Sequence, residues 1–139
     1  METTVVTMAH RRIHFSVTAL VACLVGAPVV SAAPEVPETV IVTYQVKPGA
    51  EAALSRVIAQ HWHVAQHMHL VRSSPPHVVL QGGDEGRHYI VEILTWRDGS
   101  IPDNAPEAIS ELWREMGQYV VPRDGRPGID FSPVNVVTQ

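Results

Sequence analysis

The stretch "RHYIVEILTW", Arg87 to Trp96, limits the possible folds more than any other. Its β-branched and aromatic residues read as a long strand. Side chains alternate between the two faces of a strand, and here both faces are apolar. Tyr89, Val91 and Ile93 lie on one side, with Ile90, Leu94 and Trp96 on the other. "TVIVTYQV", Thr39 to Val46, behaves the same way, with Val40, Val42, Tyr44 and Val46 on one side and Ile41 and Thr43 on the other. A sheet built from such strands needs a cover on each face, because large apolar patches are not left in water.

The remaining elements fall into order around these two strands. From Ala50 to Met68 the apolar period becomes helical, through Leu54, Ile58, His61, Ala65 and Met68. "SSPP", Ser73 to Pro76, ends that run. "HVVLQG", His77 to Gly82, is a second strand, and "GDEG" turns it into Arg87–Trp96 as a hairpin. Pro106 opens a helix expected to reach Tyr119, with Ile109, Leu112, Trp113 and Met116 on one side. "IDFSPVNVV", Ile129 to Val137, is a last strand, placed at an edge or bulge by Pro133. The order β-α-β-β-α-β predicts an α+β, ferredoxin-like fold: a four-stranded antiparallel sheet with two helices on one face. The helices cover one face only. A second copy is expected to cover the other, giving a homodimer packed sheet to sheet.

The N-terminal third is a separate problem. A basic "MAHRR" precedes the apolar, charge-free Ile13 to Val30 and the small residues of "VSAAP". This is the order of a secretory signal. Residues 1–32 are expected to be cleaved, 33–38 to form a Pro-rich lead-in, and 39–139 to be the domain. The product is then periplasmic or secreted, with no membrane contact after cleavage. "LVAC" offers Cys23 as a lipoprotein anchor instead, and Met8 is an alternative start. Cleavage removes Glu2, Arg11 and Arg12, so the net charge of −4 becomes −5. No basic run is left, which argues against nucleic acid as a partner. Cys23 is the single cysteine, so the mature domain has no disulfide, thiolate metal site or Cys nucleophile.

The mature chain resembles the dimeric α/β-barrel superfamily, in its antibiotic-biosynthesis-monooxygenase-like branch. The resemblance runs from about Val40 to Val137. It is carried by "VIVTYQVKPGAEAAL" leading into a helix, "HW" at His61 and Trp62, "YIVEILTW", "ELWREM" and "GIDFSPV". It implies a small homodimer acting on a small-molecule ligand, and no cofactor is expected. That family includes cofactor-free oxygenases, haem-degrading enzymes, isomerases and members without a known reaction. The Asn–Trp–His set of its haem degraders has no residue-by-residue counterpart here.

"HWHVAQHMHL", His61 to Leu70, holds four of the eight histidines. His61 falls at the centre of the apolar helix stripe. His63 and His67 fall on the opposite side, four apart, within chelating distance of one metal but without a third ligand. A solvated face is the plainer reading for them. On the third strand His88, Glu92 and Trp96 share a face. Glu92 is the lone carboxylate among apolar neighbours, and such a group is costly to bury unpaired. His61 and Glu92 are therefore expected to meet, as a catalytic base and its orienter or as a structural lock. Trp113, Trp96, Tyr44 and His88 are the candidate substrate-binding residues around them. Three functions fit: a cofactor-free monooxygenase-type enzyme acting on a quinol- or polyphenol-like molecule, a non-catalytic binding or dimerisation module, and a metal or haem binder using the His-rich helix.

Overall fold

A computed structural model describes residues 35–84 and 86–137. The expected signal segment, Cys23 and Met8 lie outside them. Strand β1 spans Glu38–Val46, helix α1 Glu51–His67, β2 Val71–Arg72, β3 Val78–Asp84, β4 Arg87–Trp96, helix α2 Glu107–Met116 and β5 Ile129–Val134. All pairings are antiparallel: β5 lies beside β1, β1 beside β4, and both β2 and β3 lie along the free edge of β4. The fold is α+β and ferredoxin-like. Among the described residues no helix is long and apolar enough to cross a membrane.

Six details depart from the sequence reading. A fifth strand, β2, comes directly after α1, where Val71 and Arg72 pair Trp96 and Thr95 before the prolines interrupt. The second long strand starts at Val78 and runs to Asp84, leaving His77 just ahead of it. Helix α2 stops at Met116, and a single 3₁₀ turn carries the chain to Tyr119. Pro106 is its N-cap rather than a first-turn residue. The last strand ends at Val134, opposite Thr39, because β1 supplies hardly any further partner backbone. Met68, expected on the buried stripe, is exposed: the helix has ended, and His69 takes a positive φ of 56° to leave it.

The register decides which side chains share a face, since directly paired residues of an antiparallel ladder point the same way. Val42 opposes Glu92, which opposes Val79, and Val42 also opposes Phe131. This is the helix-facing side. Val40, Val42, Tyr44, Val46, Ile90, Leu94 and Trp96 are buried there against Leu54, Ile58 and Ala65 of α1 and Ile109, Leu112 and Met116 of α2. Burying each large apolar side chain stabilises the fold by about 1.5–3 kcal/mol.

The opposite face carries Ile41, Val78, Val91 and Ile93, all half-buried, together with Leu80 at 54% and Tyr89 at 40% exposure. The Tyr89 ring lies across Gly82, its cross-strand partner, where a Cβ would collide with it. The absence of a side chain at Gly82 is what allows the ring to lie down on the sheet. A tight turn through Gly86, at φ +79°, closes the β3–β4 hairpin.

Candidate functional site

Three elements and one loop bring polar groups together inside this apolar layer. Strand pairing sets Tyr44 two residues beyond Val42, so its ring reaches along the same face to Glu92. The Tyr44 hydroxyl donates to Oε2 of Glu92 at 2.6 Å. His77, in the loop before β3, places Nε2 2.8 Å from Oε1. A carboxylate oxygen only accepts, so Nε2 of His77 carries the hydrogen. Helix α1 brings His61 to the same carboxylate, with Nδ1 3.9 Å from Oε1. Glu92 is 0% exposed, His61 1% and Tyr44 2%. The side chain of His77 is 13% exposed and is the member of the cluster that reaches the surface.

Aromatic rings build the walls. Trp62 stacks flat on His77, with centroids 4.0 Å apart and planes at 11°. Trp96 meets His61 edge-on at 5.9 Å, and Trp113 lies at 6.2 Å on another side of it. Trp113 meets Trp96 and Phe131 in T-shaped contacts. Edge-to-face rings at these separations are favourable beyond their buried area.

The hydrogen bonds define the tautomer of His61. The indole Nε1–H of Trp113 points at His61 Nε2 at 3.1 Å. An indole N–H can only donate, so Nε2 must offer its lone pair. The proton of neutral His61 therefore sits on Nδ1, which faces Glu92 without a hydrogen-bond partner among the described residues. Burial pushes the His61 pKa down, the nearby Glu92 charge opposes this, and His77 adds to the lowering. Burial also raises Tyr44 well above the usual phenol range, reinforced by the Glu92 charge and the hydrogen bond to it. Tyr44 thus stays a proton donor to the carboxylate, and His61 stays neutral.

Of the remaining sequence candidates, His88, His63 and His67 lie elsewhere. His88 shares the Glu92 face but sits two rungs away, where Nδ1 is 3.2 Å from Glu51 Oε1. Trp96 is fully buried, and its Nε1 has no hydrogen-bond partner among the described residues. His63 and His67 are exposed on the outer side of α1. Among the described residues no group of three His, Cys, Asp or Glu side chains is placed to hold a metal ion. A cleft of about 650 Å³ lies at another end of the domain, lined by Glu38, Thr39, Asp98, Ser100 and Asn135 among others.

His77 is the member that sequence reasoning missed. A signal for it exists. If "GDEG" closes a tight turn with Asp84 opposite Arg87, then Val79 must oppose Glu92. His77, two residues earlier, falls on the same face beside it.

No protein-family model matches the chain, and no curated protein matches it. Solved structures do resemble it. Rv0793 from Mycobacterium tuberculosis superposes with a TM-score of 0.56 at 13% identity, covering 75% of this chain and 98% of that one. SnoaB, a cofactor-independent oxygenase from Streptomyces nogalater, gives 0.54 at 15% identity, covering 74% and 95%. A conserved protein from Methanosarcina mazei Go1 gives 0.52 at 13% identity, covering 71% and 93%. At such identities the likeness is one of fold. It is the fold that the resemblance to the monooxygenase-like branch implies.

Proposed function

We propose that this chain is an exported, homodimeric, cofactor-free monooxygenase-type enzyme that acts on a small organic molecule of the quinol or polyphenol kind. The observation that carries the reading is the buried carboxylate Glu92, hydrogen-bonded by Tyr44 and His77 and faced by His61 inside aromatic walls. A carboxylate that orients an imidazole is the arrangement of a general base. Cofactor-free oxygenation needs little more from a protein. A base removes a proton from a carbon made acidic by a neighbouring phenol or carbonyl. The electron pair left on carbon reduces dioxygen and forms a C–O bond. The peroxide takes up a proton and loses water, so a CH₂ and O₂ become C=O and H₂O. The shared fold with SnoaB, itself a cofactor-independent oxygenase, supports the same reading.

Dimerisation is supported by the uncovered sheet face of Leu80, Tyr89, Ile41, Val91 and Ile93. Export is supported by the N-terminal basic, apolar and small-residue order, and N-terminal sequencing of the secreted product should begin at Ala33 or Pro34. The enzyme reading is tested by oxygen consumption with a panel of quinols, anthrones and polyphenols. The expected result is stoichiometric oxygen uptake that is lost in Glu92→Gln. Uptake with none of them, or unchanged uptake in that variant, overturns it. One observation favours a second reading, a non-catalytic binding or dimerisation module: His61, Glu92 and Trp96 are so fully enclosed that they also serve as a packed polar lock. Thermal shifts with those same compounds, without turnover, would select that reading.

A further inference from the structure

We infer that His77 is the proton-accepting group of this site, with Glu92 behind it as the carboxylate that orients it. This deepens the reading above and rests on it. The inference follows from what each polar group has left to offer an incoming molecule. Tyr44 has committed its proton to Glu92 and is enclosed. His61 has no lone pair free: Trp113 takes Nε2, and Nδ1 carries the proton. Glu92 has one oxygen engaged by Tyr44 and the other by His77, and it presents no surface. His77 differs on each count. Its Nε2–H is spent on Glu92, so the lone pair of the neutral ring is on Nδ1. No hydrogen bond to a described residue engages that atom. Its side chain is 13% exposed, and the flat stack on Trp62 fixes the ring plane.

The arrangement therefore reads outward from the core: Tyr44 and Glu92 inside, His77 at the surface, Trp62 as its platform. When a substrate C–H loses its proton to Nδ1, the electron pair stays on carbon and His77 becomes an imidazolium. The Nε2–H···Oε1 contact, until then charged on the acceptor side alone, becomes a hydrogen bond between two opposite charges, stronger in that state than before. This is a gain made as charge develops, which is what catalysis requires. His61 becomes a positioning residue, held by Trp113 with Nδ1 3.9 Å from the same carboxylate oxygen that His77 engages.

A generic proton-abstraction probe, 5-nitrobenzisoxazole, tests the assignment without a known substrate. A base takes its C–H proton, the ring N–O bond breaks, and the electron pair ends on the phenolate oxygen of a nitrile product. The full chain should exceed an equal concentration of free imidazole. His77→Gln should lose about 100-fold in kcat/KM, the lower end for a positioned base. Glu92→Gln should lower kcat with KM held. The exposed pair His63→Gln/His67→Gln should change nothing. In parallel, ¹⁵N imidazole shifts should show His77 protonated at Nε2 and bare at Nδ1, with His61 the reverse. Elimination that survives His77→Gln and vanishes in His61→Gln overturns the assignment. So do exchanged tautomers, or a wild type no faster than imidazole. Elimination through His77 without oxygen uptake on any quinol would instead sink the oxygenase reading and leave His77 as the base.

Discussion

Replacing Tyr44 by Phe removes one oxygen atom and almost nothing else. Tyr44 is 2% exposed, and its hydroxyl donates to Glu92 Oε2 at 2.6 Å. The ring volume is kept, so no large cavity opens and the cavity cost stays small. What is lost is a donor to a fully buried carboxylate. A hydrogen bond to a charged group is worth about 1.5–3 kcal/mol net, and the stranded oxygen has no water to turn to. The expected destabilisation is therefore about 2 kcal/mol, which lowers the Tm of a domain this size by roughly 10 °C. Urea unfolding followed by tryptophan fluorescence measures it. The companion variant Glu92→Leu leaves the Tyr44 hydroxyl unpartnered. The double mutant removes both ends of the bond, so it should be less destabilised than the two single effects added, with a coupling of at least about 1 kcal/mol. A Tyr44→Phe loss under about 0.5 kcal/mol, or additive single effects, would refute the view of Glu92 as a desolvated carboxylate held by this phenol.

Stability should fall in mild acid because of His61. Its pKa is lowered in the fold from the ordinary 6.5, chiefly by burial. The unfolded chain therefore binds a proton first as pH drops below 6.5. The contribution is present above that value and is lost below it, at up to about 1.4 kcal/mol per pH unit. Urea midpoints at pH 7.5, 6.5 and 5.5 should show a shallower slope in His61→Gln, and an identical slope would remove His61 as the cause. On the open sheet face, Leu80→Glu with Tyr89→Glu should convert the dimer to a monomer in light scattering; a wild type that is already monomeric refutes the sheet-to-sheet assembly. His63→Gln with His67→Gln should leave unfolding free energy within about 0.5 kcal/mol, as for other surface changes, and tight stoichiometric zinc or copper binding that disappears in this variant would contradict a solvated face.

Period and turn chemistry, local properties that sequence displays directly, determined much of this molecule. Two-sided apolarity in β1 and β4 called for a cover on each sheet face, of which the helices supply one, and the 3.6-residue stripe of α1 placed His61 inward and His63 and His67 outward. Glu92 was conspicuous for the same reason, as the one carboxylate in an apolar strand, and a buried charge needs partners. Which partners it found was a matter of tertiary structure. Tyr44 was legible as a ring near the pair but not as the donor to Glu92, and His77 only as the start of a strand after a proline break. The register of two separate ladders turned both toward one carboxylate. Trp113 fixed the proton of His61 from a helix 52 residues away along the chain. Hydrogen bonds between elements depend on packing angle and register to within a fraction of an ångström, and side-chain period alone does not carry that information. Period could set His61 and Glu92 on facing surfaces, but only the folded chain could decide that His77 stands at the surface between that carboxylate and the solvent.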